Sequence, residues 1–383
     1  MSVAELLEGK RVCVCGGAGG VGKTTTSAAI ALGMAARGAK VAVVTIDPAR
    51  RLANALGLAE LQNEPTRIEP ERLAGHGLEI RGELWAMMLD SKRTFDELIE
   101  RVAPTPERAA EIKANAVYRE LSTAVSGSQE FTAVAKLYEL DREGDFDLLV
   151  LDTPPSRNAL DFLDAPGRLT GFLEGRALKA FIRPTGLGMR IIGRGASPLL
   201  GALRRVTGVD LIGDLSAFFM LLGDMTDDFS QRARAVQAML CADTTAFLVV
   251  TSAQPSPAAE AIWFARTLRG TGLPFAGVIV NRFHHDTAGA PHAGRLRGRL
   301  RGMVGDEPDL AERLVANLED YRVLAERDAA GVAQIRIELG EPPVLLVPHL
   351  DDDVHDVDGL LAVHRYLFAT ETERARLISS LVA

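Results

Sequence analysis

Apolar residues in this chain gather in short compact runs, parted by longer stretches where they recur at helical spacing. The first run begins after Arg11 and ends in a glycine-rich turn; an alanine-rich helical stretch, Gly38 and a second run through Ile46 follow. Strand, glycine turn, helix and strand in that order make a βαβ unit. Further β-rich runs lie at Leu84–Leu89, Asp147–Leu151, Ala246–Thr251, Gly277–Asn281 and Val344–Val347, with helix-compatible sequence between them. Near-continuous apolar strands alternating with helices predict an α/β fold, a mostly parallel doubly wound sheet covered on both faces.

Two segments break that rhythm. Residues 168–231 contain no convincing strand and read as a helical insertion within a single domain spanning 1–383. Residues 284–305, rich in His, Gly and Arg directly after a strand, read as a mobile surface loop. The tail from Gly359 reads as a packed helix pair.

Composition narrows the class. At 383 residues the chain exceeds the size at which one core usually stops growing, hence one large domain with an insertion. Hydrophobic residues at 47% and charged residues at 25% fit a globular protein. A formal net charge of −8 argues against a general nucleic-acid binder, which needs a basic footprint. The N-terminus lacks a basic region followed by a long apolar stretch, and no apolar run approaches bilayer length, so a soluble cytoplasmic protein with at most peripheral membrane contact is expected. Cys13 and Cys15 alternate along one predicted strand and read as reduced, buried core.

The chemistry is concentrated in Gly17-Ala18-Gly19-Gly20-Val21-Gly22-Lys23-Thr24, which fits G-x-x-x-x-G-K-[ST] between a predicted strand and a predicted helix. Gly17, Gly19, Gly20 and Gly22, with Val21, let the backbone curl so that its N–H groups face phosphate, in conformations a Cβ obstructs. The helix amino end adds partial positive charge. Lys23 is expected on the β- and γ-phosphates and the Thr24 hydroxyl on magnesium, with Thr25 beside it, which makes Mg-ATP the expected ligand. Asp47 and Asp152 each close an apolar strand and emerge at the carboxyl edge of the sheet, where open α/β folds bind ligands. Asp152 after four apolar residues is a Walker B arrangement, holding magnesium directly or through water. Alone, either aspartate equally suits a helix cap or a turn.

Gly16 to Thr26, Thr45-Ile46-Asp47-Pro48-Ala49-Arg50 and Asp152-Thr153-Pro154-Pro155-Ser156 together resemble the ArsA/Get3 family of ATPases, within the deviant Walker A class. The resemblance extends to Val278–Asn281 and Pro348–Leu350. It implies an ATPase working as a nucleotide-sandwich dimer, as a homodimer or with a related subunit, whose switch segments rearrange between nucleotide states. It implies that Asp47 positions the attacking water, that Asp152 senses magnesium, and that Asn281, with Pro348, meets adenine. An ATP-driven switch for a hydrophobic protein or membrane-protein client is the leading reading; a catalytically impaired subunit of a hetero-oligomer and a MinD/ParA-like positioning ATPase are the alternatives.

Two features depart from the family pattern. Ala18 stands where the class carries a second lysine that reaches the partner's phosphates. A related subunit supplying it, Arg50, Arg51 or Arg157 replacing it, and slow hydrolysis all remain open. With three cysteines in all, neither a C-x-x-C zinc site nor a thiol arsenite site can be built. His284, His285 and His292, and the acidic run from Asp351 to Asp358, read as solvated surface rather than as metal sites. Residues 175–209 carry seven basic residues and no acidic one among many apolar groups, which suits either a client groove or a helical lid.

Overall fold

Val12–Gly17 forms the first strand because its residues can be buried on both faces, and all six are. In the computed structural model, residues 1–47, 50–74, 77–115, 118–119, 128–154, 225–285, 293–303 and 308–380 are described. They contain strands β1 (Val12–Gly17), β2 (Lys40–Thr45), β3 (Thr66–Arg67), β4 (Glu83–Met88), β5 (Leu148–Asp152), β6 (Thr245–Thr251), β7 (Phe275–Phe283) and β8 (Val344–Pro348). The helices are α1 (Val3–Leu6), α2 (Lys23–Ala36), α3 (Arg51–Ala55), α4 (Pro70–Ala74), α5 (Ser91–Val102), α6 (Pro106–Ala114) and α7 (Ser128–Glu143). After residue 224 come α8 (Thr226–Cys241), α9 (Pro255–Gly270), α10 (Ala293–Met303), α11 (Pro308–Leu339), α12 (Val357–Phe368) and α13 (Glu371–Ser380).

The eight strands form one sheet in the order β3-β4-β2-β5-β1-β6-β7-β8. Every pairing is parallel except β3 with β4. Side chains along a strand alternate between faces, so neighbouring residues of β1 serve different cores. Cys13 and Cys15 join Val41, Val43, Leu148 and Val150 in a core closed by α2 and α12. Val12 and Val14 join Ala42, Val44, Leu149 and Leu151 in a second core closed by α7, α8, α9 and α11. Each fully buried aliphatic side chain contributes about 1.5–3 kcal/mol. This is the doubly wound α/β sheet that the run pattern predicts, and both P-loop-strand cysteines are free and buried.

Expected strand ends shift by only one or two residues, but three readings need comment. Short β3, exposed and antiparallel, carries no apolar run and is invisible to pattern reading. The loop expected over 284–305 is corrected, because Ala293–Met303 is helical. Its glycines suggested a loop, yet Arg297 and Arg301, four apart on one helix face, both grip Glu312 of α11 at 2.9 and 2.7 Å. The insertion expected at 168–231 lies outside the described residues except for 225–231, which open α8, and so does the basic stretch 175–209. The tail does form the helix pair α12 and α13, and Asp356 of the acidic run caps α12 through the Gly359 N–H at 2.9 Å. Among the described residues no helix is long and apolar enough to cross a membrane.

Candidate functional site: a glycine curl at the sheet's carboxyl edge

At the end of β1 the chain leaves the sheet where only glycine fits. Gly17 has φ +154°, and a Cβ there would sit 1.9 Å from the Val250 carbonyl oxygen of β6. Gly22, the residue before α2, has φ +92°, and a Cβ there would meet the Asn281 amide nitrogen at 2.3 Å. Among the described residues no side chain caps the start of α2, whose first N–H groups can serve a ligand at the helix amino end.

Lys23 is buried, and its Nζ donates to the carbonyls of Gly17 at 3.0 Å and Ala18 at 2.8 Å. Burial lowers its pKa, against the attraction of Asp152, Glu260 and Asp47. Ala18 itself is buried in the α2-side core.

Asp152, at the end of β5, lies in register with Thr45 of β2 and Cys15 of β1. Its Oδ2 accepts from Thr24 Oγ1 at 2.6 Å and from Thr45 Oγ1 at 2.9 Å. Its Oδ1 is buried with no hydrogen-bond partner among the described residues. Burial pushes the carboxyl up to about 6, opposed by the two hydroxyls and Lys23. A hydroxyl and a buried carboxylate oxygen lacking a partner are hard oxygen donors, a set that fits magnesium. Among the described residues no cluster of three or more His, Cys, Asp or Glu forms another candidate metal site.

Asp47 stands two residues beyond β2; its N–H donates to Thr45 Oγ1 at 3.2 Å, and Arg51 lies 3.7 Å from its carboxylate. From the other side of β1, Asn281 of β7 donates its Nδ2 to the Val21 carbonyl at 2.9 Å and accepts the Arg282 N–H at 3.0 Å. Arg282 follows at φ +57° within a register irregularity of β7 against β8, a local distortion of the kind that clusters at binding sites.

These groups face one cleft of about 880 Å³, within the range of small-molecule sites. Gly19, Gly20, Gly22, Lys23, Thr24 and Thr25 line it together with Asp47, Asp152, Asn281 and Pro348. Gly17 and Val21 shape the curl without lining the cleft, Val21 being buried in the core. Sequence reading missed Thr45, which ties Asp152 to Asp47; its only signal is a polar residue closing an apolar strand. It also took His284 for solvated surface. Instead the His284 ring is mostly buried, its Nδ1 2.7 Å from buried Asp328 of α11, and it stacks on His349, a cleft residue.

Comparison with known proteins agrees with this geometry. Residues 10–299 match the model of the ArsA family, described as anion-transporting ATPase. ATPase GET3 of Malassezia globosa is 29% identical over 157 residues, 40% of this chain and 42% of that protein. A protein of Aquifex aeolicus described as an arsenical pump-driving ATPase is 28% identical over 247 residues, 63% of this chain and 55% of its own length. ATPase get3 of Schizosaccharomyces pombe is 25% identical over 219 residues, 56% and 58% of the two chains. The chain thus spans about half the length of the curated relatives it matches. With a parallel sheet, a glycine curl before α2 and a family match over most of its length, the chain belongs to the ArsA family of anion-transporting ATPases.

Proposed function

We propose that this protein binds Mg-ATP in the cleft at the carboxyl edge of the sheet and hydrolyses it to ADP and phosphate. The observation carrying this reading is the shared oxygen of Asp152, held by Thr24 at the mouth of the glycine curl and by Thr45 beside Asp47. The amides from Gly19 to Thr25 cradle the phosphates, and Lys23 exchanges its two backbone carbonyls for β- and γ-phosphate oxygens. Thr24 and Asp152 would hold magnesium, which offsets charge on the phosphates when bound. Asp47 accepts a hydrogen bond from the attacking water and aims its oxygen at the γ-phosphorus as the bond to the ADP oxygen breaks. Asn281 keeps one N–H and acceptor capacity beyond its two backbone partners, enough to meet adenine, with Pro348 beside it.

The family resemblance supports a cytoplasmic dimeric switch in which the nucleotide state governs a hydrophobic client, within a single domain carrying the insertion 168–231. A second reading, a subunit dependent on a related partner, is favoured by Ala18, whose buried methyl offers no charge.

Calorimetry and phosphate release test the core of the proposal. Lys23→Ala should abolish measurable ATP binding, whereas Asp47→Asn should keep it and lower turnover by about 10²-fold or more. Normal hydrolysis by Asp47→Asn would remove the water-positioning role; no ATP uptake by the wild type, alone or with a related subunit, would remove the function.

A further inference from the structure

His349 follows the last residue of β8 and lines the cleft near Asn281 and Pro348. One face of its ring lies against His284, with centroids 5.1 Å apart and planes 25° from parallel, an offset stack. The second ring is held from behind. His284 Nδ1 is 2.7 Å from Asp328 Oδ2, and the His284 backbone N–H donates to the same oxygen at 3.0 Å. Arg327 donates twice to the other oxygen, at 3.0 and 2.7 Å. Burial would raise the Asp328 carboxyl, but His284 and Arg327 outweigh it and keep it below its ordinary value. An ionised carboxylate only accepts, so Nδ1 of His284 carries the proton and the ring is fixed in one orientation.

The anchor is itself fixed. Asp328 is 1% exposed, and three residues on, Gly331 brings α11 against the chain after β6, where a Cβ would lie 2.1 Å from the Ala253 carbonyl. Tyr321, two turns before Asp328, meets His284 edge-on at 5.5 Å and His285 at 5.7 Å, and its hydroxyl reaches His285 Nδ1 at 3.0 Å. Taking a charge out of water carries a desolvation cost that its partners must offset. Here two of the four hydrogen bonds to Asp328 come from His284, whose ring stacks on one that lines the cleft.

We propose that His349 is the stacking platform for the base of the bound nucleotide, with Asp328, acting through His284, as the positioning residue that sets its plane. The inference rests on the Mg-ATP reading of the cleft and adds to it a source of affinity that lies outside the phosphates. Stacking is indifferent to the edge of the base, so the platform favours large π-faces, and purines over pyrimidines, while edge recognition is left to Asn281.

The test compares ATP, 2-aminopurine riboside triphosphate and inorganic tripolyphosphate as ligands of the full chain. His349→Ala should weaken ATP binding roughly 5- to 100-fold, the scale of base–aromatic stacking, and leave tripolyphosphate affinity unchanged. His349→Phe should restore ATP affinity to within about threefold of wild type, because a ring face is retained. Bound 2-aminopurine should be quenched in the wild type and in His349→Phe, and brighten in His349→Ala. Asp328→Asn should raise KM for ATP without changing kcat, as expected of a residue that orients a binding ring. Equal ATP affinity in wild type and His349→Ala, or parallel loss of ATP and tripolyphosphate, would overturn the proposal while leaving the phosphate cradle intact. A wild type that binds neither ligand overturns both readings, and one that binds tripolyphosphate as tightly as ATP overturns only this one.

Discussion

A single oxygen of Asp152 receives hydroxyl hydrogen bonds from the first turn of α2 and from the end of β2, and Thr45 passes the connection on to the Asp47 N–H. Thr45→Val keeps the shape of the side chain and removes the hydroxyl. It should cost about 1–3 kcal/mol, the usual range for a hydrogen bond to a buried charged group, read from urea unfolding. It should also lower kcat more than it raises KM, because the phosphate amides are untouched while Asp47 loses its tether. The candidate site was legible where its residues are contiguous or follow an apolar run: Gly17–Thr24, Asp47 just past β2, and Asp152 at the end of β5. Thr45 was not, since its role depends on the β2–β5 register that sets it opposite Asp152. His284 was not either, because its partner Asp328 lies 44 positions away on another element.

Helix α2 has to do two things: present its amino end to the cleft and pack closely on α12. Gly33 permits the second, since a Cβ there would lie 2.2 Å from the Phe368 ring. The gap is filled by His364 and Phe368, stacked with centroids 4.6 Å apart. Burial, assisted by Arg365 and Arg37, lowers the His364 pKa from 6.5 to about 4. The folded chain therefore holds fewer protons than the unfolded one between these values. The associated stability is fully present above about 6.5 and is lost as pH falls through about 4, by at most about 3 kcal/mol. Replacing His364 with Leu should flatten this part of the stability profile, measured by urea midpoints across pH 4–7, relative to wild type. Elements were readable wherever apolar runs were long, as in β1, β2, β5 and β6. Helix α10 was misread because its glycine content is a local signal, whereas Arg297 and Arg301 on Glu312 are tertiary ones.

At the scale of the whole molecule, strands on both sides of β1 bring their carboxyl ends to one edge, β2 and β5 with the two aspartates, β7 and β8 with Asn281 and Pro348. If two such edges face each other across nucleotide, association should depend on it. Light scattering should show a larger dimer fraction with Mg-ATP for Asp47→Asn, which under the proposed mechanism holds ATP and turns it over slowly, and no shift for Lys23→Ala. A partner-dependent subunit would remain monomeric alone and associate only with its relative. The overall sheet was predictable from alternating strands and helices, but the order of strands was not, because it is fixed by which faces meet across the two cores. The amino ends of the same strands form a second rim at the opposite edge of the sheet. Asp145, just before β5, has a side chain 99% exposed and, among the described residues, a loose 3.8 Å ion pair with Lys40. That rim is a natural handle: a fluorophore or surface tether fixed at Asp145 would hold the molecule by the edge opposite the cleft, leaving the proposed nucleotide site open to solution.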